Sequence, residues 1–446
     1  MPKPDYLTAP IKTDKMPPGI PYIVGNEAAE RFCYYGINAI LVVFMTTNLL
    51  DRAGQPAPMS EPAARAWFHT YGAAVYFLPV LGALLADAIW GKYRTILWLS
   101  LVYCIGNLAL AADHTRLGLL IGLSLVALGA GGIKPCVSAN VGDQFGAANQ
   151  HLLTRVFTWF YFAINIGSAL STMLTPWLLD RFGAAAAFGT PGVFMLLATI
   201  IFWLGRKQFV HIPPVGAGKY LREIFNRENL KALGNLLILV PFAAVFWSVW
   251  NQNFSAWVLQ ANKMDRHLFG HEWLPAQIQT VNPLFVLAML PFCSYVLYPQ
   301  LGKLFNVTPL RRFGMGLFAN TVAFLIAALI QTRIDAGQTP HILWQVLAFL
   351  VLTSGEVMVS VTHLEFSYTQ APKTMKSLVM CLYLGSIALG NVFAAFINFL
   401  IEKGGLKLEG AAYYFFFVAI MFVTAVLFLF VARFYKGRTY IQDEAA

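Results

Sequence analysis

Charge is the first thing this sequence lacks. Only 12% of its residues are Asp, Glu, Lys or Arg, about half the share of a soluble domain. The hydrophobic share is 58% and the mean hydropathy is +0.61. Both values exclude a soluble globular chain and indicate a membrane protein crossing the bilayer many times. Cysteine is sparse too. Cys33, Cys104, Cys136, Cys293 and Cys381 each stand alone in an apolar run, so neither a disulfide frame nor a metal site is indicated. No Gly-Lys-Ser/Thr phosphate loop occurs, which removes ATP as an energy source. His271-Glu272 lacks the second histidine of a zinc protease helix. Asn140, not glycine, precedes Gly142-Asp143, so the pattern of an intramembrane aspartyl protease is absent. An enzyme is therefore not expected, and no cofactor is called for.

The formal net charge of +10 would raise nucleic acid as a partner for a soluble protein. The placement of the basic residues argues otherwise. Roughly 20 of the 31 Lys and Arg fall in segments on one side of the apolar runs, against about 8 on the other. This is the positive-inside bias of a membrane protein, and no nucleic-acid partner is expected. Residues 1–22 are polar, carry Lys3, Lys12 and Lys15, and lack an apolar signal core. They are expected to form a cytoplasmic tail.

Apolar runs near the ~20 residues that cross a bilayer occur at about 27–50, 63–88, 95–112, 117–140, 155–180 and 191–205. After a gap they resume at about 232–262, 276–300, 313–332, 343–366, 378–401 and 412–435. These are twelve expected crossings, with both termini inside. Basic clusters at Lys92/Arg94, Arg206/Lys207, Arg222/Arg227/Lys231, Lys303/Arg311/Arg312, Lys373/Lys376 and Lys436/Arg438 then share the inner side. The connector 206–231 divides the chain into a first bundle, 23–205, and a second, 232–436, followed by a short tail, 437–446. Two six-span halves about an inner linker are the layout of a major facilitator transporter. The expected fold is thus all-α, with twelve helices in two pseudo-symmetric bundles. Gly82 to Arg94 resembles the signature loop of that superfamily, and Gly302 to Gly314 repeats it weakly at the matching place in the second half.

Several ionisable and polar residues lie inside these runs. Glu27, Glu30, Arg31, Tyr34, Tyr35 and Asn38 fall at i, i+3, i+4, i+7, i+8 and i+11, one face of a helix. Charges within a bilayer are expensive and face a protein interior or a water-filled cavity. Lys134 sits among small residues in Gly129 to Gly142 beside Pro135. Its plainer role is a lysine reaching for a helix end, but its depth within the run favours a functional cation. Glu356 in run ten is a lone carboxylate that calls for a cation or a proton. A carboxylate exchanging a lysine partner for a proton would couple transport to pH. Asn165 in run five serves either helix–helix hydrogen bonding or ligand binding. His69 in run two has the titration range of a pH sensor, with a hydrogen-bonded interfacial role as the alternative. Tyr76, Asn282 beside Pro283, and Trp247 add polar and aromatic groups, a lone tryptophan such as Trp247 being more often a packing residue than a ligand contact.

These residues resemble those of the proton-dependent oligopeptide transporter family. Glu27-x-x-Glu30-Arg31-Phe32-x-Tyr34-Tyr35-Gly36 is similar to its first-helix motif. Gly131 to Cys136 with Gly142-Asp143-Gln144-Phe145, and Phe160-Tyr161-Phe162-x-Ile164-Asn165-x-Gly167-Ser168, are similar to its two signatures. Leu364 to Pro372 is similar to its motif after span ten. The resemblance implies proton-driven import of di- and tripeptides across a plasma membrane, by a monomer, with protons as the coupling ion. It places Arg31 and Lys134 near the peptide carboxylate, with Tyr34, Tyr35 and Tyr76. Glu356, Asn165 and Asn282 would hold the amine and backbone, and Trp247 and Tyr383 would line the pocket. Glu27, Glu30, Arg31, Lys134, Glu356 and His69 would handle the proton, and Lys134 and Glu356 would attract each other as an inner gate. Tyr383 stands where an aromatic, often Trp, is usual.

Two departures fall together. Asn38 replaces an arginine common in the family, and Asn251 replaces an acid four residues after Trp247. Those family positions pair as an outer gate. The joint loss implies an outer gate held by uncharged groups, with Asn38 and Asn251 bonding to each other, and insensitive to pH. The linker 206–231 is also too short for the extra helix pair of many bacterial members. Two other readings remain open: a relative that carries another solute, such as nitrate, an amino acid or a glycosylated metabolite, and a homologue that binds peptide without moving it.

Overall fold

The computed structural model describes residues 6–214, 236–363 and 376–435, with single positions between 215 and 235. Leu364 to Pro372 and the basic clusters Arg222/Arg227/Lys231, Lys373/Lys376 and Lys436/Arg438 lie outside the described residues or their described side chains. The chain is helical almost throughout. Its elements are α1 (Ile20–Val43), α2 (Glu61–Phe77), α3 (Pro79–Leu84), α4 (Lys92–Ala112), α5 (Arg116–Asp143), α6 (Leu153–Leu204), α7 (Val240–Trp250), α8 (Ala256–Ala261), α9 (Val281–Phe292), α10 (Tyr298–Gly302), α11 (Pro309–Asp335), α12 (Leu343–Glu356), α13 (Lys376–Glu402) and α14 (Ala411–Phe434). A two-residue hairpin pairs β1 (His267–Leu268) with β2 (His271–Glu272) about Phe269 and Gly270, both at positive φ.

Ten helical stretches among the described residues are long and apolar enough to cross a membrane. One of them, Gln150–Lys207, has 58 residues. At 1.5 Å per residue that is far longer than a hydrocarbon core of about 30 Å. Gly183, at φ 79°, breaks it where the sequence separates runs five and six. Run seven is the other difference. It is built of two short helices, α7 and α8, joined by a 3₁₀ turn, Asn251–Phe254, and its beginning lies outside the described residues. The ten stretches, with one holding two crossings and α7–α8 a further one, are consistent with twelve.

Local chemistry sets several boundaries. Thr115 caps α5, its hydroxyl accepting from Gly118 N, and Thr308 caps α11 from Arg311 N, with Pro309 following. Gly91, at φ 81°, turns the chain into α4, a backbone angle suited to glycine. A side chain on Gly82 would run into the backbone of Gly132, so these two glycines let the helices on either side touch. Lys92, in the loop that follows, pairs with Asp143 at 2.7 Å. Among the described residues, four π-helical turns interrupt the helices: Phe44–Asn48, Leu85–Trp90, Cys293–Leu297 and Val357–Val361. Such turns occur often at functional sites, and the last one begins directly after Glu356.

The contacts divide the chain into two compact units. One takes the described residues within Met1–Ile40, Asn48–Pro58 and Ala74–Phe225. The other takes those within Leu41–Thr47, Met59–Ala73 and Asn226–Ala446. The end of α1 and the first part of α2 belong with the second unit, so these two helices are shared between the units.

Candidate functional site

In the first unit, the polar face expected on α1 is a chain of alternating charge. Arg31 Nε lies 2.7 Å from Glu27 Oε1 and 3.0 Å from Glu30 Oε2. Glu30 Oε1 lies 3.5 Å from Lys134 Nζ, brought in by α5. The side chains are 12, 4, 1 and 5% exposed for Arg31, Glu27, Glu30 and Lys134. Two carboxylates and two cations thus sit almost dry and sum to zero. Lys134 Nζ also lies 3.9 Å from the centre of the Tyr34 ring and 5.7 Å from that of Tyr76. The rings give the ammonium a cation–π partner on its other side. Tyr34 packs edge-on to Tyr35 at 5.3 Å and to Tyr76 at 6.2 Å. The arrangement can hold one extra proton or one extra carboxylate by exchanging partners within the chain.

Helix α6 reaches this cluster through Gly167. A Cβ there would lie 2.5 Å from Ala28 O and 3.4 Å from Arg31 Cβ, so only a bare backbone fits. Asn165, two residues earlier, is buried, and its amide donates to Tyr161 O at 2.9 Å. That bond is local, within the helix. Asn38, further along α1, is buried at 3% exposure.

In the second unit, Glu356 is the centre. Its Oε2 accepts from Asn282 Nδ2 at 2.8 Å and from Trp250 Nε1 at 3.1 Å. Asn282 Nδ2 also donates to Thr353 Oγ1 at 2.9 Å. The carboxylate is therefore held by neutral donors. Trp250 and Thr353 are absent from the sequence reading. Their signals were spacing, Trp250 one turn after Trp247 and Thr353 one turn before Glu356. Trp247 packs edge-on to Trp250 at 5.3 Å and to Tyr383 at 6.4 Å, and its buried indole N–H has no partner among the described residues. Tyr383 in turn shares a hydrogen bond of 3.2 Å with Ser360 of the π-helical turn and packs on His363 at 5.0 Å. Asn251 donates to Trp247 O at 2.7 Å.

His69 belongs to the second unit and is fully buried. Its Nδ1 lies 2.9 Å from Asn391 Oδ1 and its Nε2 lies 3.1 Å from Ser255 Oγ. Asn391 Nδ2 donates to Ile387 O at 3.1 Å, which turns the acceptor Oδ1 toward the ring. Nδ1 is therefore the donor, and Nε2 faces a hydroxyl that can donate or accept. A proton at Nε2 would require the Ser255 hydroxyl to turn toward Gln252 O, 3.5 Å away, and the ring to carry its charge in a fully buried place. The sequence pointed to His69, but Asn391 and Ser255 lie far from it along the chain and had no signal of their own.

The comparisons with known proteins give the family. The family model described as PTR2, POT family, matches residues 93–227 and 217–416. The chain is 36% identical over 399 residues to solute carrier family 15 member 2 of Rattus norvegicus, covering 77% of this chain and 53% of that protein. It is 35% identical over 366 residues to peptide transporter family 1 of Drosophila melanogaster, covering 72% of this chain and 48% of that protein. The chain spans about half the length of these curated relatives. Among solved structures, the POT family transporter PepTSo superimposes with a TM-score of 0.86 at 34% identity, covering 94% of this chain and 99% of that one. An auto-inhibited POT family peptide transporter gives 0.85 at 34% identity, covering 96% and 99%. With its mostly helical major facilitator fold, this multi-pass membrane protein belongs to the POT family.

Proposed function

We propose that the protein is a proton-coupled symporter that imports di- and tripeptides by alternating access. The observation that carries this reading is the dry, neutral chain Glu27–Arg31–Glu30–Lys134, which a peptide carboxylate or a proton can each reorganise. In this reading Arg31 and Lys134 take the carboxylate, beside Tyr34, Tyr35 and Tyr76. Glu356, Asn282 and Asn165 take the amine and backbone, and Trp247, Trp250 and Tyr383 shape the aromatic wall. Peptides share a backbone with charges at both ends, so a fixed cation and a fixed carboxylate suit them as a class. Glu27, Glu30, Arg31, Lys134, Glu356 and His69 carry the proton, which is the only coupling ion and needs no cofactor. Lys134 and Glu356 attract each other as an inner gate when no ligand intervenes. Asn38 and Asn251 act as an uncharged outer gate. The protein works as a monomer in a plasma membrane, the inner membrane in a bacterium. Both termini face the cytoplasm, with 23–205 and 232–436 as its two bundles and 206–231 as the linker.

The test is uptake of labelled dialanine into proteoliposomes under an inward proton gradient, with Lys134→Ala beside the wild type. Concentrative uptake that an uncoupler collapses and the variant lacks is the expected result. Wild-type binding without uptake would instead identify a non-transporting homologue, and neither binding nor uptake would identify another solute.

A further inference from the structure

We propose that the second unit holds a separate small-molecule site: a cavity of about 420 Å³ that takes the carboxylate of a short zwitterion, an amino acid or small peptide, on Arg65. The volume lies within the usual range for ligand pockets, about 300–1,000 Å³. With the N-terminus inside, as proposed above, these helix ends face outward. The site rests on none of the residues assigned to transport.

The walls of this cavity are fixed by bonds of their own. Gln260 Nε2 donates to Ala327 O and to Gln331 Oε1, both at 3.0 Å. Gln331 Nε2 donates to Asp335 Oδ1 at 2.8 Å, and Asp335 Oδ2 accepts from Ala411 N at 2.6 Å. Tyr414 donates to Ala256 O at 2.9 Å. Three helices, α8, α11 and α14, are thereby set beside a preformed space, which the start of α2 also lines.

Arg65 is the exception in this wall. It lines the cavity and is only 8% exposed. No carboxylate pairs with it among the described residues, and its Nε is buried without a hydrogen bond. Its guanidinium carbon lies 4.2 Å from the centre of the Tyr413 ring. The ring covers one face of the guanidinium and offers nothing to its in-plane N–H groups. A buried guanidinium without an acceptor is unfavourable, and the group that matches its fork is a carboxylate.

The rim decides what else the ligand carries. Glu61 lies 3.4 Å from Lys263, both about half exposed, and Glu409 lies nearby in the lining. Lys263 offsets Glu61, so Glu409 leaves the rim with one net negative charge, which a bare anion would meet unfavourably. A molecule with a carboxylate at one end and an ammonium at the other satisfies both the buried cation and the acidic rim.

Equilibrium dialysis of labelled dialanine against the detergent-purified full chain tests this. The expected result is two molecules bound per chain in the wild type, one in Arg65→Gln, one in Lys134→Ala and none in the double variant. In the Lys134→Ala background, alanyl-alaninamide, which lacks the carboxylate, is expected to compete at least tenfold more weakly than dialanine. Arg65→Lys keeps the charge but not the fork, and is expected to weaken the remaining site at least tenfold, even if Arg65→Gln does not fold. The proposal is overturned if Lys134→Ala binds no dialanine, or if the Arg65 variants match their parents. Binding of glycerophosphoethanolamine but not dialanine to Lys134→Ala would also overturn it, identifying a lipid headgroup site. A wild type that binds nothing would count against both sites, whereas loss in Lys134→Ala alone leaves the transport reading standing.

Discussion

At the scale of single residues, each buried charge of the α1–α5 cluster has a counterpart. Glu30 is the clearest case, because it touches Arg31 at 3.0 Å and Lys134 at 3.5 Å. Arg31 keeps Glu27 if Glu30 is lost, but Lys134 keeps only aromatic rings. Glu30→Gln is expected to destabilise the protein by about 3–5 kcal/mol, the usual cost of stranding a buried charge. Adding Lys134→Gln should restore most of that loss. Unfolding in detergent of both single variants and the double would show it, and additive effects would mean the two side chains do not act as a pair. His69 offers a second case. Gly72 lies under its partner, so a Cβ there would come within 2.9 Å of Asn391 Oδ1. Gly72→Ala should push that amide away from the ring. It is expected to lower proton-driven uptake while leaving dialanine binding intact, as His69→Gln would. Unchanged uptake in both variants would exclude a coupling role for this histidine.

At the scale of elements, helix ends and turns control where the site residues point. Asp113 and Thr115 form the corner between α4 and α5, the helix that carries Lys134. The Asp113 carboxylate accepts from Thr115 N at 2.9 Å, and that bond holds its pKa below the ordinary value. A carboxyl group lowered in the folded state stabilises the protein above its unfolded pKa of about 3.9 and loses that contribution as the pH falls through the folded value. The difference in melting temperature between wild type and Asp113→Ala should therefore be full at pH 7 and narrow below pH 4. A gap that is constant with pH would show that the charge is not what matters. At the same corner, Thr115→Ala removes the cap on α5 and should cost about 1 kcal/mol.

At the scale of the whole molecule, the functional groups are divided between two units. The first unit holds the cations Arg31 and Lys134 with their own carboxylates. The second holds Glu356 with neutral donors only. Asn38 and Asn251 stand where the family usually pairs charges, and Asn251 uses its amide on its own helix, at Trp247 O. Asn251→Asp would place a lone carboxylate in a buried position. If the outer gate is insensitive to pH, the uptake optimum of this variant should stay where the wild type has it. An optimum that shifts in the variant would count against that insensitivity.

The sequence by itself determined the class of protein, because lipid accepts so few charges that each one inside an apolar run is conspicuous. It also determined the α1 face, since residues three and four apart on a helix must share a side whatever packs against them. Lys134 and Glu356 were legible for the same reason. What only the tertiary structure decided is who touches whom. Glu30 is the anion beside Lys134, and Trp250 joins Asn282 in holding Glu356. Asn391 and Ser255 bracket His69 from sequence positions 322 and 186 residues away. Arg65 showed no sequence signal, since an arginine near a helix end ordinarily reaches water. Its significance comes from Tyr413 and the surrounding glutamines, which enclose it without neutralising it. Periodicity fixes which side of a helix a residue faces, and only packing fixes what stands opposite.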